Sequence, residues 1–324
     1  MKKEFIGKTV CLLGDSIMEH GFYTYNLRAY FQGKEEKCFV FNRGVAGNRA
    51  IMAQYLLEDE VYFLNPDYVF ICFGANDMGV WLYDSFKEVT PELLEKRKVR
   101  DDEYILAYEI LIDKLLERGI MPVVMSPYAV NSFIKESDAV YTVPDNKEKE
   151  DILKPSFYKR KTFENINEGF KGYTKRLKDL AERKGVLFFD IFSKTYEKML
   201  ELEGKGMYFD DGCHYTKDFG HAVIARAFLE YFGVEDIPST FPKTKENDEI
   251  FDLEQLERST GYLLRCTPLN EHFGKKTEEE KLEYIKSCLN STFEWGRLAA
   301  ENYFKHAHEI PEMKKKLIEL VKGL

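Results

Sequence analysis

Hydrophobic residues in the first 232 positions form short apolar runs that are separated by longer amphipathic stretches. The runs are rich in valine, isoleucine and phenylalanine and do not alternate with polar residues, as expected for parallel strands covered on both faces. They span residues 9–13, 38–41, 68–73, 121–125 and 186–191. Helical periodicity between them predicts helices over residues 101–118, 161–184 and 216–231. The pattern predicts an α/β fold, a doubly wound five-stranded parallel sheet between helices.

The pattern changes after Gly233, where a charged segment with two prolines is typical of a linker. From residue 251 onward only helical spacing is present. We therefore predict an α/β domain of residues 1–233, a linker of residues 234–250 and an all-helical C-terminal extension of residues 251–324. The extension either packs on the α/β domain or binds a partner. In the second case the partner can be another copy of the chain, which would give a homo-oligomer.

Composition and charge narrow the class of protein. With 44% hydrophobic and 32% charged residues the chain has globular composition, which excludes a largely disordered protein. Its 47 basic and 56 acidic residues give a net charge of −9, so we expect no nucleic-acid partner. No apolar run is long enough for a membrane span, and residues 9–13 are too short for a signal peptide. Six scattered cysteines without a CxxC pair favour reduced thiols and a cytoplasmic location.

The first strand is followed directly by Gly14-Asp15-Ser16 at the start of a helix. Serine is a preferred helix N-cap, but a serine at the carboxyl end of a strand can also be a nucleophile. Met18 stands where the G-x-S-x-G elbow of the α/β-hydrolases requires glycine, so that class of hydrolase is excluded.

Glycines follow the second strand in the segment Asn42–Arg49, which includes Gly44 and Gly47. Such a segment can bind phosphate, but no Gly-Lys-Ser/Thr and no complete GxGxxG is present. Glycine can also let a backbone N–H approach a ligand oxygen. The third strand is followed by Gly74-Ala75-Asn76-Asp77, which forms a turn or directs the amide of Asn76 at an oxyanion.

Asp211 and His214 are three residues apart around a glycine. This spacing is common by chance, but it also lets a carboxylate orient an imidazole that transfers protons. The remaining histidines are scattered without an HExxH motif, so we expect no metal and no organic cofactor.

The four segments Gly14-Asp15-Ser16, Asn42–Gly47, Gly74–Asp77 and Asp211–His214 occur in the order found in the SGNH hydrolases, also called the GDSL esterase/lipase family. Residues 5–232 resemble that family, and the C-terminal extension does not. The resemblance implies the family's flavodoxin-like SGNH hydrolase fold.

The resemblance also implies a role for each matching residue. Ser16 would be the nucleophile, His214 its base, and Asp211 the group that orients His214. The oxyanion hole would comprise the backbone N–H groups of Ser16 and Gly47 and the side chain of Asn76. Gly44 is the alternative to Gly47, and the family's spacing from Asn42 favours Gly47. We expect Asp15 and Asp77 to bond nearby backbone instead of titrating in catalysis.

The predicted activity is that of a serine esterase, with short-acyl esters of carbohydrates, such as O-acetyl groups, as the first choice of substrate. A lysophospholipase or thioesterase is the second choice, and an acyltransferase would use the same nucleophile. A catalytically silent scaffold protein is the alternative from another class. The long connections of residues 78–100 and 128–158 are pocket walls or tolerated insertions. Their aromatic residues Trp81, Tyr83 and Tyr128 either contact substrate or pack in the core.

Overall fold

A computed structural model describes residues 1–78, 91–131, 164–202, 208–209, 213–265, 277–290 and 294–324. Five strands form one parallel sheet in the order β2-β1-β3-β4-β5, with helices flanking it, which confirms the predicted fold class. The strands are β1 (Thr9–Gly14), β2 (Phe39–Gly44), β3 (Tyr68–Cys72), β4 (Met121–Met125) and β5 (Leu187–Phe189). In the β1–β2 pair Thr9 lies opposite Phe39 and Gly14 opposite Gly44, so the two strands end level with each other.

The helices of the α/β part include several single turns near strand ends. They are α1 (Ser16–Glu19), α2 (Phe22–Phe31), α3 (Ala50–Ala53), α4 (Ala75–Met78), α5 (Pro91–Glu117), α6 (Glu164–Lys184), α7 (Ile191–Leu202) and α8 (Gly220–Tyr231). Helix α5 begins ten residues before the predicted start at residue 101, so the first predicted connection is shorter than expected. Proline is favoured at the first position of a helix, and the charged residues that follow are good helix formers.

The C-terminal region is helical in its described residues. Its helices are α9 (Lys245–Thr260), α10 (Tyr262–Arg265), α11 (Glu278–Cys288), α12 (Glu294–His306) and α13 (Ile310–Gly323). Helix α9 begins at Lys245, inside the segment predicted as a linker, because the Thr244 side chain accepts a hydrogen bond from Asn247 N at 3.3 Å and caps it. None of the helices in the described ranges is both long and apolar enough to cross a bilayer.

The chain forms two compact units. The first comprises Met1–Asn48, Met52–Val69 and Phe228–Leu324, and the second comprises Arg49–Ile51 and Phe70–Ala227. The C-terminal helices therefore belong to the same unit as β1 and β2. The division into domains 1–233 and 251–324 stays a prediction.

Helices α9 and α13 pack on the first unit through different chemistry. Helix α13 buries the apolar stripe Met313, Leu317 and Val321, as expected from its helical spacing. Helix α9 instead buries charged side chains, of which Glu254 and Glu257 are fully covered. Charges are buried in proteins only when they are paired, so these carboxylates need partners inside the unit.

Two arginines of the first unit are those partners. Arg28 donates to Glu254 at 2.7 and 3.1 Å, and Glu254 also accepts from the backbone N–H of Asn42 at 3.0 Å. Arg43, in β2, donates to Glu257 at 2.9 Å and to Glu60 at 3.0 Å. Burial lowers the pKa of Arg43, but the facing carboxylates of Glu257 and Glu60 outweigh it and raise the pKa above its ordinary value. Buried ion pairs thus join helix α9 to helix α2 and to strand β2.

Helices α10, α11 and α12 surround a small apolar core of their own. Leu263, Ile285, Cys288 and Ala300 form it, and Tyr262 and Tyr303 are among the residues that pack against it. The N-terminus of α11 is closed by a capping box in which Thr277 and Glu280 bond each other's backbone N–H groups.

Four cysteines are buried within the described ranges, namely Cys11, Cys38, Cys72 and Cys288. Burial raises the pKa of Cys11 and of Cys38, which keeps both thiols protonated. Cys213 is partly exposed, and Cys266 lies outside the described residues.

Candidate active site

Asp15, and not Ser16, is the N-cap of helix α1. Its side chain accepts a hydrogen bond from the backbone N–H of Ile17 at 3.1 Å, and its backbone is extended. Ser16 is consequently the first residue inside the helix, two positions after β1 ends. The expectation that Asp15 bonds nearby backbone is confirmed, and the interpretation of Ser16 as a helix cap is wrong.

Helix α1 lies unusually close to the end of β2. A Cβ atom added to Gly44 would lie 2.3 Å from the backbone nitrogen of Glu19 and 2.9 Å from the carbonyl oxygen of Asp15. Only a glycine permits this approach, because both neighbours are backbone atoms that cannot rotate away. Asn42 also holds the helix, since its side-chain amide donates to the carbonyl of Met18 at 2.7 Å.

Substituting Gly44→Ala should therefore push α1 away from β2. We expect a loss of about 1–3 kcal/mol in the free energy of unfolding, the range found for overpacked sites, together with reduced esterase activity. Urea denaturation measures the first effect. The control is Gly172→Ala in the middle of α6, where no atom lies within 4 Å of the added Cβ and the change should be neutral or mildly stabilising. Equal stability of the two variants would contradict the close packing.

Most backbone N–H groups from Gly44, the last residue of β2, to Asn48 in the following loop donate to a defined acceptor. Gly44 N donates to the Asn42 side chain at 2.9 Å, and Val45 N donates to the carbonyl of Gly14 at 2.9 Å. Ala46 N donates to the Glu19 carboxylate at 2.9 Å, and Asn48 N donates to Val45 at 3.1 Å.

Gly47 differs from its neighbours in this loop. Its backbone N–H has no acceptor within the described part of the chain, and its φ of 73° is one that glycine adopts without strain. The N–H of Gly44 is committed to Asn42 and cannot serve a ligand at the same time. The geometry therefore favours Gly47 over Gly44 as the backbone donor of an oxyanion hole.

Glu19 is a residue that the sequence patterns did not single out. Its carboxylate binds Ala46, next to Gly47, and its own backbone carbonyl accepts a hydrogen bond from Arg258 of α9. It lies one helical turn after Ser16 in α1. An acidic residue three positions after the serine was the available signal, but its partner could be identified only from the fold.

In the second unit, two buried tyrosines of α5 fix the end of β3. Tyr104 donates to the carbonyl of Phe73 at 2.8 Å, and the hydroxyl of Tyr108 accepts from the N–H of the same residue at 2.8 Å. Burial raises the pKa of both phenols well above the ordinary value, so both remain neutral. Phe73 directly precedes the segment that carries Asn76.

Asn76 lies in the single turn α4, which follows this anchored strand end. The carboxylate of the neighbouring Asp77 accepts from the backbone N–H of Ala50 at 2.9 Å. The expectation that Asp77 bonds backbone is thus confirmed. The turn closes with a hydrogen bond from Met78 N to the carbonyl of Gly74 at 2.8 Å.

His214 also lies in the second unit, next to a firmly held residue. Tyr215 pairs with Phe209 in an isolated antiparallel bridge and donates from its buried hydroxyl to the carbonyl of Ala129 at 2.6 Å. His214 is partly exposed, and its ring Nδ1 lies 3.7 Å from the sulfur of Cys213. Asp211 lies outside the described residues, so its pairing with His214 stays a prediction.

Of the three aromatic residues noted in the long connections, Tyr128 is buried and packs edge-on against Tyr215, which supports the core-packing interpretation. Trp81 and Tyr83 lie outside the described residues, as does most of the second connection. Among the residues that are described, no three His, Cys, Asp or Glu side chains are arranged to hold a metal ion. The expectation of no cofactor stays a prediction.

Comparison with known proteins agrees with these features. A model of the GDSL-like lipase/acylhydrolase family matches residues 12–222. An acetylxylan esterase from Geobacillus stearothermophilus is 26% identical over 202 residues, which cover 62% of this chain and 74% of that protein.

Solved structures share the fold. A gut microbial diltiazem-metabolizing enzyme has a TM-score of 0.66 at 14% identity and covers 98% of this chain and 96% of its own. The acetylxylan esterase Axe2 from Geobacillus stearothermophilus has a TM-score of 0.51 at 22% identity, over 72% of this chain and 99% of its own. Because the family model matches more than half of the sequence, the chain belongs to the GDSL-like lipase/acylhydrolase family and is a hydrolytic esterase.

Proposed function

We propose that the protein hydrolyses short-acyl esters of carbohydrates, acetyl esters first, through an acyl-enzyme on Ser16. One observation carries the proposal. Ser16 begins the helix that packs against the loop of residues 44–48, where Gly47 presents an N–H without an acceptor among the described residues. Attack on an ester carbonyl requires a nucleophilic hydroxyl and N–H donors for the oxyanion.

The proposed reaction has two steps. The hydroxyl oxygen of Ser16 attacks the ester carbonyl while His214 takes its proton, and the alcohol leaves after receiving that proton from His214. Water then attacks the acyl-serine with the same base, which releases the carboxylic acid and restores the hydroxyl. Asp211 would accept from the other imidazole nitrogen and stabilise the charged ring.

The oxyanion formed in each step would be bound by the backbone N–H groups of Ser16 and Gly47 and by the side chain of Asn76. Strand β1 lies between β2 and β3 in the sheet order, and these residues follow the carboxyl ends of those three strands. Ligands of doubly wound sheets bind at that edge.

The choice of substrate follows the relatives. Axe2 is described both as an acetylxylan esterase and as an acetyl-xylooligosaccharide esterase, and both names denote action on acetylated saccharides. The curated relative carries the first of these names. A lysophospholipase or thioesterase and an acyltransferase with the same nucleophile remain the alternatives.

Acyl length separates these alternatives. With p-nitrophenyl esters from acetyl to octanoyl, we expect kcat/KM to be highest for acetyl, and we expect acetylated xylooligosaccharides to release free acetate. A maximum at octanoyl would favour the lysophospholipase or thioesterase. Transfer of the acetyl group to an added sugar in place of water would identify an acyltransferase. No turnover of any of these esters would contradict the proposal.

A further inference from the structure

A cleft of about 380 Å³ lies in the first unit, beside the helix that begins with Ser16. Its volume is within the range of small-molecule sites. Three helices of the C-terminal region and the last residue of α1 line it. The lining residues are Glu19, Gln255, Arg258, Ser259, Tyr262, Leu298, Ala299 and Asn302.

On α9 and on α12 the residues that line the cleft lie on one face of the helix. Gln255, Arg258 and Ser259 lie on one face of α9, because residues three and four apart are neighbours on a helix. Asn302 is likewise four residues after Leu298 on α12. The cleft is therefore formed by regular elements and not by a chance gap between loops.

The chemistry of the lining matches a neutral polyhydroxy ligand. Tyr262, Leu298 and Ala299 offer apolar surface, whereas the amides of Gln255 and Asn302 can each donate and accept hydrogen bonds. A sugar presents the same combination, with C–H faces and hydroxyls that both donate and accept. One acid and one guanidinium line the cleft, so their formal charges cancel and do not select an ion.

The cleft is connected to the nucleophile through Glu19. Ser16 and Glu19 are three residues apart in α1 and so lie on the same side of the helix. Glu19 also holds the residue before Gly47, and Arg258 binds its carbonyl. A ligand in the cleft would therefore contact the same turn of helix that carries the reacting hydroxyl.

We propose that this cleft is a subsite for the alcohol part of the ester, and that its ligand is a neutral saccharide unit. The inference rests on the proposed function, because it concerns the leaving group of the reaction at Ser16. Tyr262 and Asn302 are its specificity-determining residues, and the C-terminal helices supply what the α/β domain alone would lack.

Two substrates with the same acyl group test the proposal. Tyr262→Ala and Asn302→Ala should each lower kcat/KM for acetylated xylotriose at least tenfold, mainly through KM, and should leave hydrolysis of p-nitrophenyl acetate unchanged. The control Asn290→Ala removes an exposed amide outside the cleft and should change neither rate. Ser259 is exposed, so Ser259→Trp fills the cleft without disturbing the core and should act like Asn302→Ala.

Calorimetry of xylotriose with the Ser16→Ala protein measures binding separately from turnover. Each cleft substitution, combined with Ser16→Ala, should lower the affinity for xylotriose at least tenfold. Unchanged kinetics on acetylated xylotriose in all three cleft variants would overturn the subsite. Equal losses of kcat/KM on both substrates, in variants that keep the parent's thermal midpoint, would also overturn the subsite. Ester hydrolysis that survives Ser16→Ala would instead overturn the proposed function, which keeps the two failures distinguishable.

Discussion

Ser16→Ala should reduce the hydrolysis of p-nitrophenyl acetate by on the order of 10⁴-fold or more, because no acyl-enzyme can form without the hydroxyl. The fold should be unaffected. Asp15 caps α1, so the serine side chain is not needed to start the helix. Rate measurements on the purified variant, together with an unchanged urea midpoint, check both expectations.

Asn76→Ala provides the contrast to the loss of the proposed nucleophile, Ser16. If its amide is an oxyanion donor, kcat should fall on the order of 10²–10³-fold, while a fluorophosphonate should still react with Ser16. Mass spectrometry of the labelled peptide would locate the modification. Wild-type activity in Ser16→Ala, or labelling at another residue, would contradict the mechanism.

The strands could be predicted because their apolar runs are local signals. These signals did not predict the end of β2, however. Its predicted end was Phe41, since Asn42 and Arg43 are polar, but the strand continues to Gly44 with both side chains buried. Arg43 can lie inside because Glu257 pairs with it from 214 positions away along the chain. No local pattern contains that information.

The lack of a local apolar signal also explains why the start of helix α9 was predicted to be part of a linker. Helix α9 has no clear apolar stripe because much of its buried face is charged, and its pairing with Arg28 and Arg43 is formed only in the fold. In the site, glycines and turn residues after each strand indicated where donors should be. The choice of Gly47 as the proposed donor depended on the other N–H groups of the loop, whose partners include Glu19 on a separate helix.

Glu257→Ala should lower the free energy of unfolding by roughly 3 kcal/mol, because removing one partner of a buried ion pair leaves the other charge uncompensated. Arg43 would keep Glu60 but lose two hydrogen bonds of 2.9 Å at a fully buried position. The matched control is Glu249→Ala on the same helix, whose pair with Lys316 is about half exposed and should contribute little. Urea denaturation followed by circular dichroism gives both values.

Deleting all residues after Gly233 should have a larger effect than either substitution, because Arg28 and Arg43 would both lose their helix α9 carboxylates. We expect that shortened chain not to fold stably. Equal stability of Glu257→Ala and Glu249→Ala would mean that Glu60 alone compensates the buried charge of Arg43. Helix α9 would then be held to β2 and α2 mainly by its other contacts, among them the pair of Glu254 with Arg28.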